Sequence, residues 1–435
     1  SLVGSEMCIR DSPSALSHFQ LQASMQSSLV SSMVIIGAGH CGGRAAQRLR
    51  EQGWTGRIDL VGDEVHPPYE RPPLSKDLLT ARKAAEDCWL LSPQGLCDMD
   101  VTVHTARACA LDTQARSVTL EGGQVLPYAR VLLATGGQVR RLSIPGADLP
   151  QVLTLRNLGD AQALASRLQA GSRLLVVGGG FIGLEVAASA RQLGVEVVLV
   201  EGAARLLGRA VPPEVAAQVL DLHRAHGVDV RLGVLPTAFA SDCDALRVTL
   251  ADGAVCEVDT VVVGIGIEPA VELARQAGLR LGRGIVVDRQ LRTSDPHVFA
   301  AGDVAEFPSV LSGLPMRQET WLNAETQSAV AADNMLGAAI EYSQLPWFWS
   351  DQYDYQLQVS GEPTLGITTA RRDLGQGDHI LFYLDAAQRV VGMSAWGLST
   401  RTAKECKLAR TLVERGSHAT PAALVDPAVK LKSLF

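Results

Sequence analysis

No stretch of this chain reaches the roughly 20 consecutive apolar residues that a membrane-crossing helix requires, which excludes a span of that kind. Its eight cysteines form no CxxC pair and no zinc-like cluster, and its nine histidines show no HExxH or related ligand spacing. A protein-bound metal is therefore not expected, and the cysteine usage fits a reducing compartment, the cytoplasm. Positive charge is in deficit too. The 39 Lys+Arg against 46 Asp+Glu give a net charge of -7, which argues against binding nucleic acid through bulk charge. What is present is ordinary for a globular protein: 47% hydrophobic and 20% charged residues over 435 positions, a length that suits two or three domains.

Residues 1–30 differ from the rest. They are Ser-rich, lack the apolar core of a signal peptide, and stop just before the first strand-like run. The segment from Ser1 to Ser12 reads like translated adapter or vector sequence, with native translation expected at Met25 or Met33. The whole stretch is expected to be a non-native or disordered leader.

Two copies of one glycine turn carry most of the information. Gly37-Ala38-Gly39-His40-Cys41-Gly42 follows the apolar run Met33 to Ile36, and Gly178-Gly179-Gly180-Phe181-Ile182-Gly183 follows Leu174 to Val177. Each precedes an alanine-rich stretch of helical character, the context that makes such a motif credible. The glycines permit a tight turn and close approach of backbone to a pyrophosphate, which then sits on free N–H groups at a helix start. Two turns imply two dinucleotides held by one chain, and so electron transfer between them.

The flanking acids fit the same logic. The strand Arg57 to Glu64 ends in Asp63 and Glu64, the first and second choices for a ribose ligand. Glu201 closes the strand Val195 to Glu201, 23 residues beyond Gly178, and a carboxylate there accepts from a ribose 2′-hydroxyl while repelling a 2′-phosphate. NAD is favoured over NADP, with Arg205 a nearby caution. The strand Val298 to Ala301 ends in Gly302-Asp303, a carboxylate and N–H suited to a bound polyol. Cys41 inside the first turn is read as a small packing residue rather than a redox group. The expected helix Arg44 to Gln52 follows it. From about Leu345 the texture changes to short alternating runs and a terminal helix, Thr402 to Arg415, a small antiparallel sheet with one helix.

At Pro68-Tyr69-Glu70-Arg71-Pro72-Pro73-Leu74-Ser75-Lys76 the chain resembles the FAD-dependent NADH:ferredoxin reductases of bacterial oxygenase systems, the putidaredoxin reductase and biphenyl dioxygenase reductase type. The resemblance continues at Leu132 to Gly137, Gly178 to Ala187, Gly264 to Pro269, Thr293 to Val304 and Glu319-Thr320-Trp321, and ends with the tryptophan-rich 346–354. It implies an α/β, glutathione-reductase-like fold with FAD and NAD Rossmann-like domains plus a C-terminal α+β domain. The expected division is 31–150 and 275–344 for FAD, 151–274 for NAD, and 345–435 for the C-terminal interface domain.

Carried over by position, the resemblance implies that Gly37, Gly39, Gly42, Asp63, Glu64, Arg71, Lys76, Arg107, Arg156, Gly302, Asp303 and Trp321 hold FAD. Gly178, Gly180, Ile182, Gly183, Glu201 and Gly266 are implied for NAD. Lys76 and Glu185 are implied as catalytic residues, Lys76 beside the flavin and Glu185 near the nicotinamide and paired with it. Ala270 stands where the family often has Asn after Pro269, so an interdomain hydrogen bond is expected to be missing.

Relatives that use thiols place cysteine beside the flavin, whereas Glu64 through Lys76 contains none. Electrons then leave singly to an external carrier, with a [2Fe–2S] ferredoxin favoured over rubredoxin or a nitric-oxide-pathway partner. A redox-dependent binding flavoprotein like apoptosis-inducing factor is the alternative of another class. Residues 345–435 carry ten Lys+Arg and nine Asp+Glu, a balance of +1 within the chain's -7. Arg401, Lys404, Lys407 and Arg410 can face an acidic partner, though a solvated helix face is the favoured reading. Trp347 and Trp349 are expected as core anchors first and as lining of the route to the flavin second. Monomer and homodimer both remain open.

Overall fold

The computed structural model describes residues 32–208, 210–242 and 245–435, so the expected leader and Cys243 lie outside the described residues. The chain opens with strand β1 (Ser32–Ile36), helix α1 (His40–Glu51), β2 (Arg57–Gly62), β3 (Val101–Thr105) and β4 (Arg130–Leu133). Next come β5 (Val152–Thr154), β6 (Arg173–Val177), helix α2 (Phe181–Gln192), β7 (Glu196–Glu201), β8 (Asp229–Leu232) and β9 (Thr260–Val263). Strand β10 (Val298–Ala300) then returns to the first sheet, whose order is β10-β4-β1-β2-β3, while the second runs β8-β7-β6-β9-β5. The second sheet is thus inserted between strands of the first.

Both sheets are parallel. All five residues of β1 are buried, as are Leu174 to Val177 of β6. A parallel sheet is covered on both faces, which is why Met33 to Ile36 and Leu174 to Val177 are apolar without alternation. Helix α1 begins at His40, four residues before the expected start, and takes in Gly42 and Gly43. Packing overrides the poor helix propensity of glycine here. A Cβ on Gly42 would lie 1.8 Å from the Gly37 carbonyl oxygen, and one on Gly43 would lie 2.5 Å from Pro68.

Beyond helix α3 (Trp321–Met335), the remainder is β11 (Trp347–Gln352), β12 (Tyr355–Gly361), β13 (Thr368–Gly375), β14 (Asp378–Leu384), β15 (Val390–Leu398) and helix α4 (Ser399–Glu414). The antiparallel order β11-β12-β15-β14-β13 places β11 at an edge. α4 starts three residues before the expected Thr402, and its Cys406, Ala409 and Leu412 pack on this sheet's apolar cluster. Trp347 and Trp349 are half-buried and join none of the apolar clusters, so the core-anchor expectation is corrected. Edge strand β11 leans instead on α2, where Phe348 meets Phe181 edge to face at 5.1 Å.

Candidate functional site

The two glycine turns are built alike. Gly37 has φ +113 and donates its N–H to Val61 at 2.8 Å; Gly178 has φ +112 and donates to Val200 at 2.8 Å. An added Cβ would fall 2.1 Å from the Ala134 carbonyl oxygen at Gly37 and 2.4 Å from that of Gly264 at Gly178. Gly183 repeats Gly42, its Cβ meeting the Gly178 carbonyl oxygen at 2.1 Å. Gly39 and Gly180 cap α1 and α2 with no side-chain partner, and neither first turn holds an acidic residue. The free N–H groups of both helix starts are left for an anion.

A cleft of about 1500 Å³ runs along the first turn and across to α2. Gly37, Gly39, Asp63, Glu64, Arg71, Lys76, Arg107, Arg156, Asp303 and Trp321 line it, joined by Ile182 and Glu185 from the second unit. Gly178, Gly180 and Gly183 of the second turn are not on its wall, nor are Glu201 and Gly266. The cradle fits a dinucleotide: space that a Cβ would fill lies beside unpartnered N–H groups, and the walls carry cations for phosphate.

The two ribose candidates separate. The Asp63 carboxylate is 68% exposed at the cleft rim, 4.0 Å from Arg107. Glu64 also lines the cleft but is engaged within the protein, accepting from the Tyr69 hydroxyl and from Arg71 Nη2 at 2.8 Å. Arg71 also donates to the Arg156 carbonyl, and Arg156 Nη2 reaches Asp303 at 3.0 Å. Gly302, at φ +77, donates its N–H to Gln327 Oε1 at 2.8 Å. Cys41 is buried beside it, and burial, then Asp303 and Glu325, push its thiol well above the usual range, so it stays protonated and inert. In the second unit Glu201 accepts from the N–H groups of Gly179 and Ala203, both at 2.7 Å. The Arg205 guanidinium donates to the carbonyls of Gly208 and Val211.

Lys76 follows the Pro72–Ser75 turn, where two prolines fix φ and leave little freedom in how the lysine is presented. Its ammonium lies 3.6 Å from Glu185 and 3.0 Å from Asp351. The expected Lys76–Glu185 pair is present, but Asp351 is the nearer anion. Glu185 is only 5% exposed and accepts from Ser75 Oγ at 2.5 Å and Ser350 Oγ at 2.6 Å. Burial pushes its carboxyl above the usual range against the pull of Lys76 and the two hydroxyls. Burial also works against charge on Lys76, yet Glu185 and Asp351 outweigh it and hold the ammonium above the ordinary lysine value. Trp321 is the first residue of α3, so its backbone N–H is one of the free donors of that helix, while its ring donates to Glu70 at 3.1 Å.

The loop at Ala270 keeps backbone bonds beside the side-chain bond that was expected to be missing. Ala270 has no side-chain group to give, but its N–H donates to the Gly136 carbonyl at 3.0 Å and its carbonyl accepts from Thr135 Oγ1 at 2.8 Å. Backbone bonds therefore tie this loop where an asparagine is absent.

The sequence pattern of pyridine nucleotide-disulphide oxidoreductases matches residues 31–328, and that of the reductase C-terminal domain matches 347–435. The chain belongs to the pyridine nucleotide-disulphide oxidoreductase family. It is 40% identical to the ferredoxin–NAD(+) reductase component of the anthranilate 1,2-dioxygenase system of Burkholderia cepacia, over 92% of this chain and 98% of that protein. The ferredoxin reductase for the CYP199A2 system of Rhodopseudomonas palustris superposes with a TM-score of 0.87 at 36% identity, over 93% of this chain and 99% of that one. The reductase in the covalent putidaredoxin reductase–putidaredoxin complex gives 0.88 at 35%, over 93% and 98%. FAD and NADH are the cofactors that membership in this oxidoreductase family carries.

Sequence reasoning missed Asp351, Ser75, Ser350 and Tyr69. Asp351 and Ser350 stood inside the tryptophan-rich segment already singled out, and Ser75 beside Lys76, so position gave a signal where residue type gave none. The basic series on α4 divides: Arg401 is held by Asp378 at 2.6 Å and Arg410 by Glu414 at 2.9 Å, while Lys404 and Lys407 are exposed.

Proposed function

We propose that this chain is an FAD-dependent ferredoxin–NAD(+) reductase that takes electrons from NADH and delivers them to a [2Fe–2S] ferredoxin feeding an aromatic-ring dioxygenase or a cytochrome P450. The observation that carries the reading is the pair of matching glycine turns, together with the cleft that runs from the first of them to Lys76, Ile182 and Glu185. When bound, FAD accepts a hydride equivalent from NADH and releases electrons one at a time.

The chain's own contribution is to bind, orient and set charge. The helix starts behind Gly39 and Gly180 take the pyrophosphates, Asp63 and Glu201 the riboses. Arg107 lies by the adenine end, and Arg71, Arg156, Gly302, Asp303 and Trp321 complete the flavin shell. Ile182, Gly183 and Gly266 line the nicotinamide side. Lys76 supplies a fixed positive charge at the ring edge, and Glu185 keeps that charge in place. Residues 31–150 with 275–344 form the FAD domain, 151–274 the NAD domain and 345–435 the acceptor-side domain, in a cytoplasmic protein whose described cysteines are free thiols.

Stopped-flow reduction with NADH and with NADPH, followed by reoxidation with a panel of ferredoxins and rubredoxins, tests the reading. Fast bleaching by NADH and fast reoxidation by a [2Fe–2S] ferredoxin are expected. A protein that refuses FAD, or is reoxidised by rubredoxin alone, overturns it.

A further inference from the structure

Three hydrogen-bond donors converge on one carboxylate at the edge of the cleft. Asp351 Oδ2 accepts from Lys76 Nζ at 3.0 Å and from Trp349 Nε1 at 3.0 Å, and Oδ1 accepts from Gln356 Nε2 at 2.7 Å. The chain of bonds continues outward. Gln356 Oε1 accepts from Gln358 Nε2 at 2.6 Å, and Gln358 Oε1 accepts from Trp347 Nε1 at 3.3 Å.

These residues lie on one face of the β11–β12 hairpin, where period-two alternation brings 347, 349 and 351 opposite 356 and 358. Asp351 pairs with Gln356 and Trp349 with Gln358 in the strand register. The direction of every bond is dictated. Indole N–H groups only donate, so Gln358 accepts with its oxygen and donates onward with its nitrogen, and Gln356 does the same. The ladder ends on a group that accepts three times across two oxygens, which a carboxylate does and a side-chain amide, with one acceptor oxygen, does not.

The same ladder fixes the aromatic wall. Trp347 and Trp349 stack at 5.0 Å and 25°, Arg410 covers the outer ring at 4.8 Å, and Trp349 meets Trp321 edge to face at 6.1 Å. Lys76, Asp351 and Trp349 also line a second opening of about 400 Å³, and Lys76 and Trp349 line the large cleft as well. The ion pair is therefore part of the partition between the two spaces, and Lys76 has an anion on either side, Glu185 within and Asp351 at the mouth.

We propose that Asp351 is a positioning residue: as the terminus of this ladder, its carboxylate holds the Lys76 ammonium at the mouth of the cleft and keeps it from full pairing with Glu185. The proposal rests on the functional reading above only in so far as Lys76 faces the flavin.

The test uses the full chain with Asp351→Asn, and Asp351→Glu as the conservative rescue. Acetylation of Lys76 by an N-hydroxysuccinimide ester at fixed pH is followed by peptide mass spectrometry and referred to Lys83 in the same molecule. Loss of one of its two anions lowers the Lys76 pKa, and one pKa unit gives about tenfold more free amine. The Lys76/Lys83 ratio is expected to rise about tenfold in the Asn variant and to return near the parent value in the Glu variant. A Gln356→Leu variant, which removes a donor to the carboxylate without touching its charge, is expected to move the ratio the same way by less. It decides the matter if Asp351→Asn fails to fold.

An unchanged ratio in a folded Asn or Leu variant overturns the proposal. In the FAD-loaded protein, removing the Asp351 charge makes the ring's surroundings more positive, so the flavin midpoint potential is expected to rise. A raised ratio with an unmoved potential overturns the placement of Lys76 at the flavin and leaves the ladder standing. A chain that takes up no FAD overturns the functional reading, and the acetylation ratio still decides the role of Asp351.

Discussion

Gly178→Ala and Gly180→Ala, two residues apart, are expected to fail in different ways. Gly178 sits at φ +112, and a Cβ there meets the Gly264 carbonyl oxygen at 2.4 Å and its carbon at 2.9 Å. A side chain in that backbone region costs about 1–3 kcal/mol before any overlap is counted. The overlapping carbonyl follows strand β9 and yields only if the sheet shifts. The sum is several kcal/mol, a large share of the about 5–15 kcal/mol that holds a typical protein folded.

Gly180 is the opposite case. Its φ of -84 and ψ of -177 suit any residue, and an added Cβ meets nothing within 4 Å. Its stability cost is a weaker helix cap, below about 1 kcal/mol. Yet the new methyl group stands at the helix start where a pyrophosphate must approach the backbone. NADH affinity is expected to fall at least tenfold, about 1.4 kcal/mol. Thermal unfolding without nucleotide, and NADH titration of the flavin-loaded protein, separate the two effects. A Gly180→Ala protein with an unchanged Kd for NADH would refute pyrophosphate binding on this turn, and a Gly178→Ala protein that melts like the parent would refute the close-approach argument.

Lys76→Met is expected to retain FAD and slow its reduction by NADH, read by stopped flow. It also leaves Glu185 with only Ser75 and Ser350 and a folded-state pKa raised further above its unfolded value. The folded form then binds the proton more tightly, so stability is full at low pH and declines as pH rises through the window above the usual carboxylate range; melting temperatures from pH 5 to 8 should fall more steeply than in the parent. Glu201→Ala removes the carboxylate proposed to accept from a ribose hydroxyl, and the NADH/NADPH ratio of kcat/KM is expected to drop about tenfold or more; an unchanged ratio assigns the preference elsewhere. Lys404→Glu with Lys407→Glu is expected to raise KM for an acidic ferredoxin and flatten its salt dependence, with ferricyanide reduction as the reference. Equal KM values at low salt would remove this face of α4 from docking.

What the residues determined alone was local. A positive φ beside a carbonyl favours glycine, and a strand covered on both faces favours apolar side chains, so both turns and the strands before them were legible. Prolines at Pro72 and Pro73 likewise fix the turn that presents Lys76. The apolar run Val298 to Ala301 before Gly302-Asp303 also pointed to the first unit, to whose sheet β10 returns.

Tertiary structure decided which of several similar side chains does what. Ser75 and Ser350 reach Glu185 across 110 and 165 positions of sequence, and Asp351 reaches Lys76 across 275. No periodicity encodes such pairs, because they form only when the Pro72–Ser75 turn and β11 come together on α2. Asp63 and Glu64 are neighbours in sequence, but Tyr69 and Arg71 engage the carboxylate of the second while the first stays exposed. Arg401 and Lys404 look alike on a helix wheel until Asp378 claims the first. Residue type sets the chemistry a side chain can offer; the fold sets which partner it meets and how much water is left around it.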